Sequence, residues 1–99
     1  MRQLAIHPGQ HLNEELNALS MSAAELARQL GVPSNRISQL LRGERNITAD
    51  TAMRLAHYFG TSAQFWMNLQ SLYDLRIAEA QSGRTVRSLP TLQSATARG

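Results

Sequence analysis

The chain has 99 residues, of which 42% are hydrophobic and 17% charged, and its formal net charge is +3. This length suits one compact domain, and no apolar run approaches the roughly 20 residues that a membrane span needs. The first residues lack the zones of a secretory signal, and the absence of cysteine excludes disulfides and thiol chemistry. We therefore expect a soluble protein of a reducing cytoplasm, without a membrane partner.

Positive charge is concentrated in two stretches, and every basic residue is an arginine. Residues 22–46 carry four arginines against two glutamates, and residues 82–99 carry three arginines and no acidic residue. Localised positive charge attracts polyanions, above all nucleic acid. Many soluble domains are mildly basic, so the charge alone does not decide the function.

The spacing of apolar residues predicts an all-α protein of five helices, because no segment alternates apolar and polar residues as a strand would. The first helix begins near Pro8, a residue type favoured in the first turn. The second follows a capping box that opens at Ser22, and Gly31 ends it. The third runs from about Ser34 to Arg42.

The last two helices complete the predicted domain. Thr48 caps the fourth helix and Gly60 ends it, and the fifth and longest helix occupies about 62–80. After that the composition shifts to serine, threonine, glutamine, glycine and arginine. This shift predicts one domain over 1–81 and a flexible tail over 82–99.

The second and third helices meet the requirements of a helix-turn-helix, in which two short helices pack closely at a steep angle. With Ala23 as the first position, the fifth must be small and is Ala27, and the ninth, at the turn, is Gly31. The five positions that must be apolar hold Leu26, Leu30, Val32, Ile37 and Leu40. The pattern therefore predicts a DNA-binding unit over about 23–42. An ordinary helical hairpin with the same spacing is the alternative.

The predicted unit assigns roles by position, because the second helix of such a unit enters the major groove. Its outward polar residues are candidates for reading bases: Ser34, Asn35, Ser38 and Gln39, flanked by Arg36 and Arg42. Amides pair well with adenine, and arginine pairs with guanine. Candidates for phosphate contact are Ser22, Gln29, Arg45 and Asn46. The alternative is that these polar residues only solvate a helix face.

The fifth helix offers an apolar surface for a dimer. One helix-turn-helix covers too few base pairs, so such proteins bind as two-fold dimers on half-sites about 34 Å apart. An apolar stripe at helical spacing consists of Phe65, Leu69, Leu72 and Leu75. We expect dimerisation through this helix, with an interface that contains Trp66, Leu69, Tyr73 and Ile77. Burial of these residues in the core of one molecule is the competing account.

Three blocks between Ile6 and Ile77 carry a resemblance to a known family. They read IHPGQHLNEEL, NRISQLLRGERNITADTAMRLAHYFGTS and FWMNLQSLYDL. In these blocks the sequence resembles the HigA-type antitoxins of bacterial toxin–antitoxin modules, within the wider Cro/lambda-repressor-like, or XRE-type, helix-turn-helix group. The resemblance implies the five-helix fold of that group, with a longer C-terminal helix.

The resemblance also implies two activities in the bacterial cytoplasm, in association with the nucleoid. One is to neutralise a RelE/HigB-like toxin that cleaves messenger RNA, and the other is to repress the operon of the pair as a homodimer on palindromic double-stranded operator DNA. By motif, the base-reading positions are Ser34, Asn35, Arg36, Ser38 and Gln39, and the backbone-facing positions include Arg42 and Arg45. The toxin-binding surface is expected around Arg2 to Glu15.

Other classes of function have weaker signals. His7 and His11 have the spacing of metal ligands on a helix, but no third ligand converges on them, so His7 is better interpreted as a helix cap and His57 as a half-buried helix residue. No nucleophile elbow, phosphate-binding loop or carboxylate pair is present, so we expect no enzymatic activity and no cofactor. A free-standing repressor without a toxin partner, and a protein-binding module that has lost its DNA function, stay open as alternatives.

Overall fold

The structure is a computed structural model that describes residues 5–93, and this part contains five α-helices and no strand. The helices, in chain order, are α1 (Pro8–Leu19), α2 (Ala23–Leu30), α3 (Ser34–Leu41), α4 (Ala49–Phe59) and α5 (Ala63–Arg87). The predicted all-α, five-helix architecture is confirmed. None of the described helices is both long enough and apolar enough to cross a bilayer.

The helices begin where local side chains can satisfy the free N–H groups of the first turn. The hydroxyls of Ser22, Thr48 and Ser62 each accept a hydrogen bond from the backbone N–H three residues later. At the start of α1, the Nδ1 atom of His7 accepts from the N–H of Gly9 at 2.9 Å. The predicted caps at His7, Ser22 and Thr48 are confirmed, although the carboxylate of Glu25, which would complete the capping box, lies 3.9 Å from Arg28 instead.

The helix-turn-helix is built as its spacing predicts. Leu26, Ala27, Leu30, Ile37 and Leu40 are buried, and Val32 packs against them. Gly31 adopts a φ of +70° between the two helices, a conformation in which a side chain would be strained. The turn therefore holds α2 and α3 against each other, and both contribute to the single core beneath them.

The N-terminal turn of α1 lies directly against the C-terminal end of α3. A Cβ atom on Gly9 would lie only 1.9 Å from the carbonyl oxygen of Leu40, so only glycine permits this approach. The ring of His7 contacts Tyr73 of α5 edge-on, with 4.9 Å between ring centroids. Leu19, although at helical spacing with the core residues of α1, is 52% exposed at the end of the helix.

Trp66 belongs to the core of one molecule and not to an interface. It is 1% exposed, its indole Nε1 donates to Thr61 Oγ1 at 2.8 Å, and its ring contacts Phe59 and Phe65. A buried side chain cannot contact a second copy, so its assignment to a dimer interface is wrong. For this residue the competing account, burial within the monomer, is correct.

The fifth helix is longer than predicted. It continues past Ala80 for seven more residues to Arg87, through Gly83, which is buried within the helix. The guanidinium of Arg87 contacts the carboxylate of Glu79 and joins the last turns. The boundary of the flexible tail at residue 82 is therefore wrong, and residues 94–99 of that predicted tail lie outside the described range.

Candidate nucleic-acid interface

Helix α3 presents one polar face to solvent. Ile37 and Leu40 are fully buried, and Pro33, which precedes the helix, provides no side-chain cap. At about 100° per residue, four of the predicted base-reading residues fall within an arc of about 140° on the opposite side. These residues are Ser34, Asn35, Ser38 and Gln39; the first two are exposed and the last two half-buried.

Local hydrogen bonds restrict what these side chains can offer. The hydroxyl of Ser38 donates to the carbonyl oxygen of Ser34 at 2.8 Å, so its hydrogen is used within the helix. The amide oxygen of Gln39 accepts two hydrogen bonds from Arg45, from Nε at 3.0 Å and from Nη2 at 2.7 Å. The amide of Asn35 makes no hydrogen bond within the described residues. The polar face of α3 therefore combines the free amide of Asn35 with the amide of Gln39, which Arg45 already orients.

A carboxylate beside α3 binds two arginines. The Oδ2 atom of Asp50, at the start of α4, lies 2.9 Å from Nε of Arg54 and 3.1 Å from Nη1 of Arg36. The hydrogen bond from Arg54, and then its charge and the contact with Arg36, hold the pKa of Asp50 below its ordinary value of 3.8. Arg36 is thus directed towards α4, away from the other predicted base-reading residues.

Arg54 was not identified from the sequence. Its Nη1 atom donates to the carbonyl oxygen of Leu30 at 2.8 Å, so it satisfies a free acceptor at the end of α2. The four-residue spacing from Asp50 could have indicated the ion pair within α4. The contact with Leu30 joins residues 24 apart in the chain, and no local pattern encodes it.

The loop between α3 and α4 is anchored to α5 by a buried amide. Gln70 is 4% exposed, its oxygen accepts from the backbone N–H of Ile47 at 2.7 Å, and its nitrogen donates to Asp74 at 2.9 Å. The exposed residues Arg45 and Asn46 directly precede this anchor. Gln70 was not identified from the sequence either. The one pattern that indicates its burial is its position four residues after Trp66, on the inner side of the helix.

Comparison with known proteins identifies the family. A helix-turn-helix family model matches residues 12–66. The structure superposes with a TM-score of 0.89 on an addiction module antidote protein of the HigA family from Coxiella burnetii, at 49% identity over 90% of this chain and 98% of that one.

The chain belongs to the HigA family of helix-turn-helix proteins. A second HigA structure, the Pseudomonas aeruginosa antitoxin solved with the higBA promoter, has a TM-score of 0.86 and 45% identity, over 90% of this chain and 99% of that chain. The virulence-associated protein I of Dichelobacter nodosus is 53% identical over 76 residues, which are 76% of this chain and 70% of that protein.

The predicted phosphate-contacting residues of this HigA-family chain are all exposed, but they are not all free. The hydroxyl of Ser22 caps α2, and Arg42 lies 3.2 Å from the carboxylate of Glu44. Gln29 lines a groove of about 440 Å³ between α2 and α4, together with Met53. Arg45 and Asn46 lie together in the loop after α3.

The fifth helix of this HigA-family chain carries apolar side chains that the monomer leaves uncovered. Of the predicted interface residues, Leu69, Tyr73 and Ile77 are half-buried. Leu72 and Leu75 are exposed, the latter by 65%. Within the described part of the chain, the exposed stripe therefore lies beside the predicted interface rather than at Trp66.

The three histidines have separate surroundings and do not form a common site. His7 caps α1, and His11 lies 3.8 Å from Glu15. His57 is exposed on α4, so its interpretation as a half-buried residue is wrong. Among residues 5–93, no group of three or more potential metal ligands converges.

Proposed function

We propose that this protein is a HigA-type antitoxin that represses its own operon as a homodimer on a palindromic operator and neutralises a RelE/HigB-like, mRNA-cleaving toxin. One observation carries the DNA-binding part: α3 exposes a polar face, whereas its apolar residues hold it rigidly in the core. A rigid helix whose polar side chains share one face can enter the major groove without rearrangement. The promoter complex of the Pseudomonas aeruginosa relative supports the same role.

The proposed contacts with DNA fall into two classes. Ser34, Asn35 and Gln39 read base edges, with Ser38 beside them as a hydrogen-bond acceptor and Arg36 available once it releases Asp50. The second class of residues positions the helix on phosphates: Ser22, Gln29, Arg42, Arg45 and Asn46. The net positive charge of residues 22–46 favours this arrangement.

The proposed dimer uses α5. Leu69, Tyr73 and Ile77 form the inner edge of the interface, and the exposed side chains of Leu72 and Leu75 extend it. A contiguous apolar stripe on a helix is costly to leave in water, and a second copy of the same helix would cover it. Two recognition helices related by a two-fold axis would then match a palindromic operator.

The proposed toxin-binding surface is the N-terminal segment and α1, from residue 2 to residue 15. Gln10, Asn13 and Glu14 are exposed on α1 and accessible to a partner, whereas Arg2 lies outside the described residues. The exposed carboxylate of Glu14 suits a basic partner such as an RNA-cleaving enzyme. The antitoxin itself has no catalytic role in this proposal, and it acts in the bacterial cytoplasm on nucleoid DNA.

DNA binding is tested with a duplex that covers the sequence upstream of the gene. Wild-type protein is expected to bind it with an affinity that falls steeply with salt, because phosphate contacts release counterions. Gln39→Ala should lose about 1–3 kcal/mol of binding free energy and relax the preference at one base position. Gln81→Ala, which replaces an exposed glutamine of α5, is the control and should bind like the wild type. Equal binding of both variants would contradict the assignment of α3.

Toxin neutralisation is tested by co-expression with the product of the neighbouring gene. The tagged antitoxin should retain the toxin on an affinity column and abolish its cleavage of messenger RNA in a translation extract. If the neighbour encodes no ribonuclease and nothing co-purifies while operator binding persists, the protein is a free-standing repressor.

A further inference from the structure

The Gln39–Arg45 contact fixes the direction of the Gln39 amide. Both hydrogen bonds end on the same atom, Oε1 of Gln39, at 3.0 Å from Nε and 2.7 Å from Nη2 of Arg45. A guanidinium group has five N–H donors and no acceptor. The atom that faces Arg45 must therefore be the amide oxygen, and the Nε2 group must point away from it.

This arrangement removes half of the hydrogen-bonding capacity of Gln39. A free glutamine reads adenine with two bonds, accepting from N6–H and donating to N7. Here the acceptor is already occupied twice by a charged donor, and charge-assisted bonds are the stronger ones. What remains for base reading is the NH₂ group of Gln39, which has two N–H donors. The pair therefore presents donors only.

Of the four base edges in the major groove, guanine matches a surface made only of donors. Guanine offers two adjacent acceptors, N7 and O6; thymine offers one acceptor beside a methyl group, adenine pairs an acceptor with an N–H donor, and cytosine offers a donor. We infer that the NH₂ group of Gln39 reads guanine, and that Arg45, whose remaining N–H groups stay available for phosphate, acts as a positioning residue that sets this preference. The inference rests on the proposed function, because it assumes that α3 enters the major groove.

Two features keep Arg45 available for this contact. Within residues 5–93 no carboxylate lies within ion-pairing distance of Arg45. The adjacent carboxylate, that of Glu44, binds Arg42 instead. The backbone two residues later is fixed, because the N–H of Ile47 donates to the buried Gln70. The loop therefore holds the backbone of Arg45 beside α3, the bonds to Gln39 direct its guanidinium, and no ion-pair partner must first be displaced.

The test is selection of duplexes from a randomised pool by wild-type protein, Gln39→Ala and Arg45→Ala. The position at which Gln39→Ala loses preference is the one that Gln39 reads. There the wild type should prefer guanine over adenine by about fivefold to a hundredfold, as expected for a base contact of ordinary strength. Arg45→Ala frees the amide oxygen, and the preference should shift towards adenine. Because each comparison is made within one variant, a general loss of phosphate binding does not affect it.

Two controls separate positioning from a merely structural effect. Arg45→Lys keeps a donor beside the oxygen and should keep guanine as the preferred base. The position read by Asn35, whose amide is free, is identified with Asn35→Ala and should keep its preference in Arg45→Ala. Selection of adenine by the wild type, an unchanged guanine preference in Arg45→Ala, or no relaxed position in Gln39→Ala would overturn the inference while DNA binding stands. Failure of the wild type to select any sequence would overturn the proposed function itself.

Discussion

At the scale of single residues, the two arginines that bind Asp50 affect stability through the pKa of its carboxylate. Hydrogen bonds from Arg54 and Arg36 stabilise its ionised form and lower its pKa in the folded protein. The carboxylate therefore adds to the free energy of unfolding above pH 3.8, and this contribution disappears as the pH falls through the lowered pKa. It is a modest contribution, because the group is exposed to solvent.

Replacing this carboxylate makes the effect measurable. Asp50→Asn should lower the melting temperature slightly at pH 7, and the difference from wild type should shrink as the pH is lowered below 3.8. Thermal melts followed by circular dichroism across this range provide the measurement. Glu14→Gln, which removes an exposed carboxylate that forms no ion pair within residues 5–93, should change the melting temperature less. A constant difference for Asp50→Asn at all pH values would contradict the argument.

At the residue scale, side-chain contacts can be predicted from the sequence where the two partners are close in the chain. The caps at Ser22, Thr48 and Ser62 involve a bond to a residue three positions later, and a short pattern encodes them. The anchors supplied by Arg54 and Gln70 contact residues 24 and 23 positions away. Only the packing of the whole domain brings those partners together, so no window of sequence can predict them.

At the scale of the helices, the close contact between α1 and α3 favours glycine at position 9. Alanine favours a helix over glycine by about 1 kcal/mol, but at this position its Cβ would collide with the carbonyl oxygen of Leu40. Gly9→Ala should therefore destabilise the protein by about 1–3 kcal/mol, since the two helices must separate to admit the methyl group. Urea denaturation measures the loss.

A second glycine provides a matched control for this substitution. Gly83 also lies within a helix, but a Cβ there would meet only the flexible carboxylate of Glu79, which can move aside. Gly83→Ala should therefore leave stability unchanged or raise it by up to about 1 kcal/mol. If both alanine substitutions had the same effect, the backbone contact of Gly9 would not be the cause.

The extent of α5 was the least predictable feature among the helices. The other helices each bury one apolar stripe, so the helical spacing of their apolar residues predicts them from the sequence. Beyond Ala80, the helix buries only Gly83, and Val86 and Leu89 are exposed. Serine, threonine and glycine have low helix propensity, so composition alone indicated a tail where the chain continues as a helix.

At the scale of the whole molecule, the long α5 gives the chain an elongated shape. The chain measures 61 × 24 × 22 Å along its principal axes, because α5 extends beyond the other four helices. Periodicity, together with the three blocks that carry the family resemblance, was enough to predict the fold and the family. The exposure of individual residues of α5 was only partly predictable, since periodicity cannot tell which apolar residue turns inward, as Trp66 does, and which stays exposed, as Leu75 does.

The proposed dimer predicts a specific response to charge on α5. Leu75 is 65% exposed, so Leu75→Arg should leave the monomer folded but place two guanidinium groups near the two-fold axis. Sedimentation should then report a mass of 11.0 kDa in place of twice that value, and operator affinity should fall. Met53→Arg, at a 64% exposed site on α4, is the matched control and should remain dimeric. A dimeric Leu75→Arg protein would exclude this stripe from the interface.

The buried amide of Gln70 makes the residues that fit at positions 70 and 74 depend on each other. Glutamate at position 70 would keep the acceptor for the N–H of Ile47, but it would place a second negative charge against Asp74. Leucine would fill the space and leave that N–H without a partner. Asparagine at position 74 would still accept from the amide of Gln70 and could donate to a glutamate at position 70, so the pair can change without losing a bond if position 74 changes first. The loop that carries Arg45 keeps its anchor along that route.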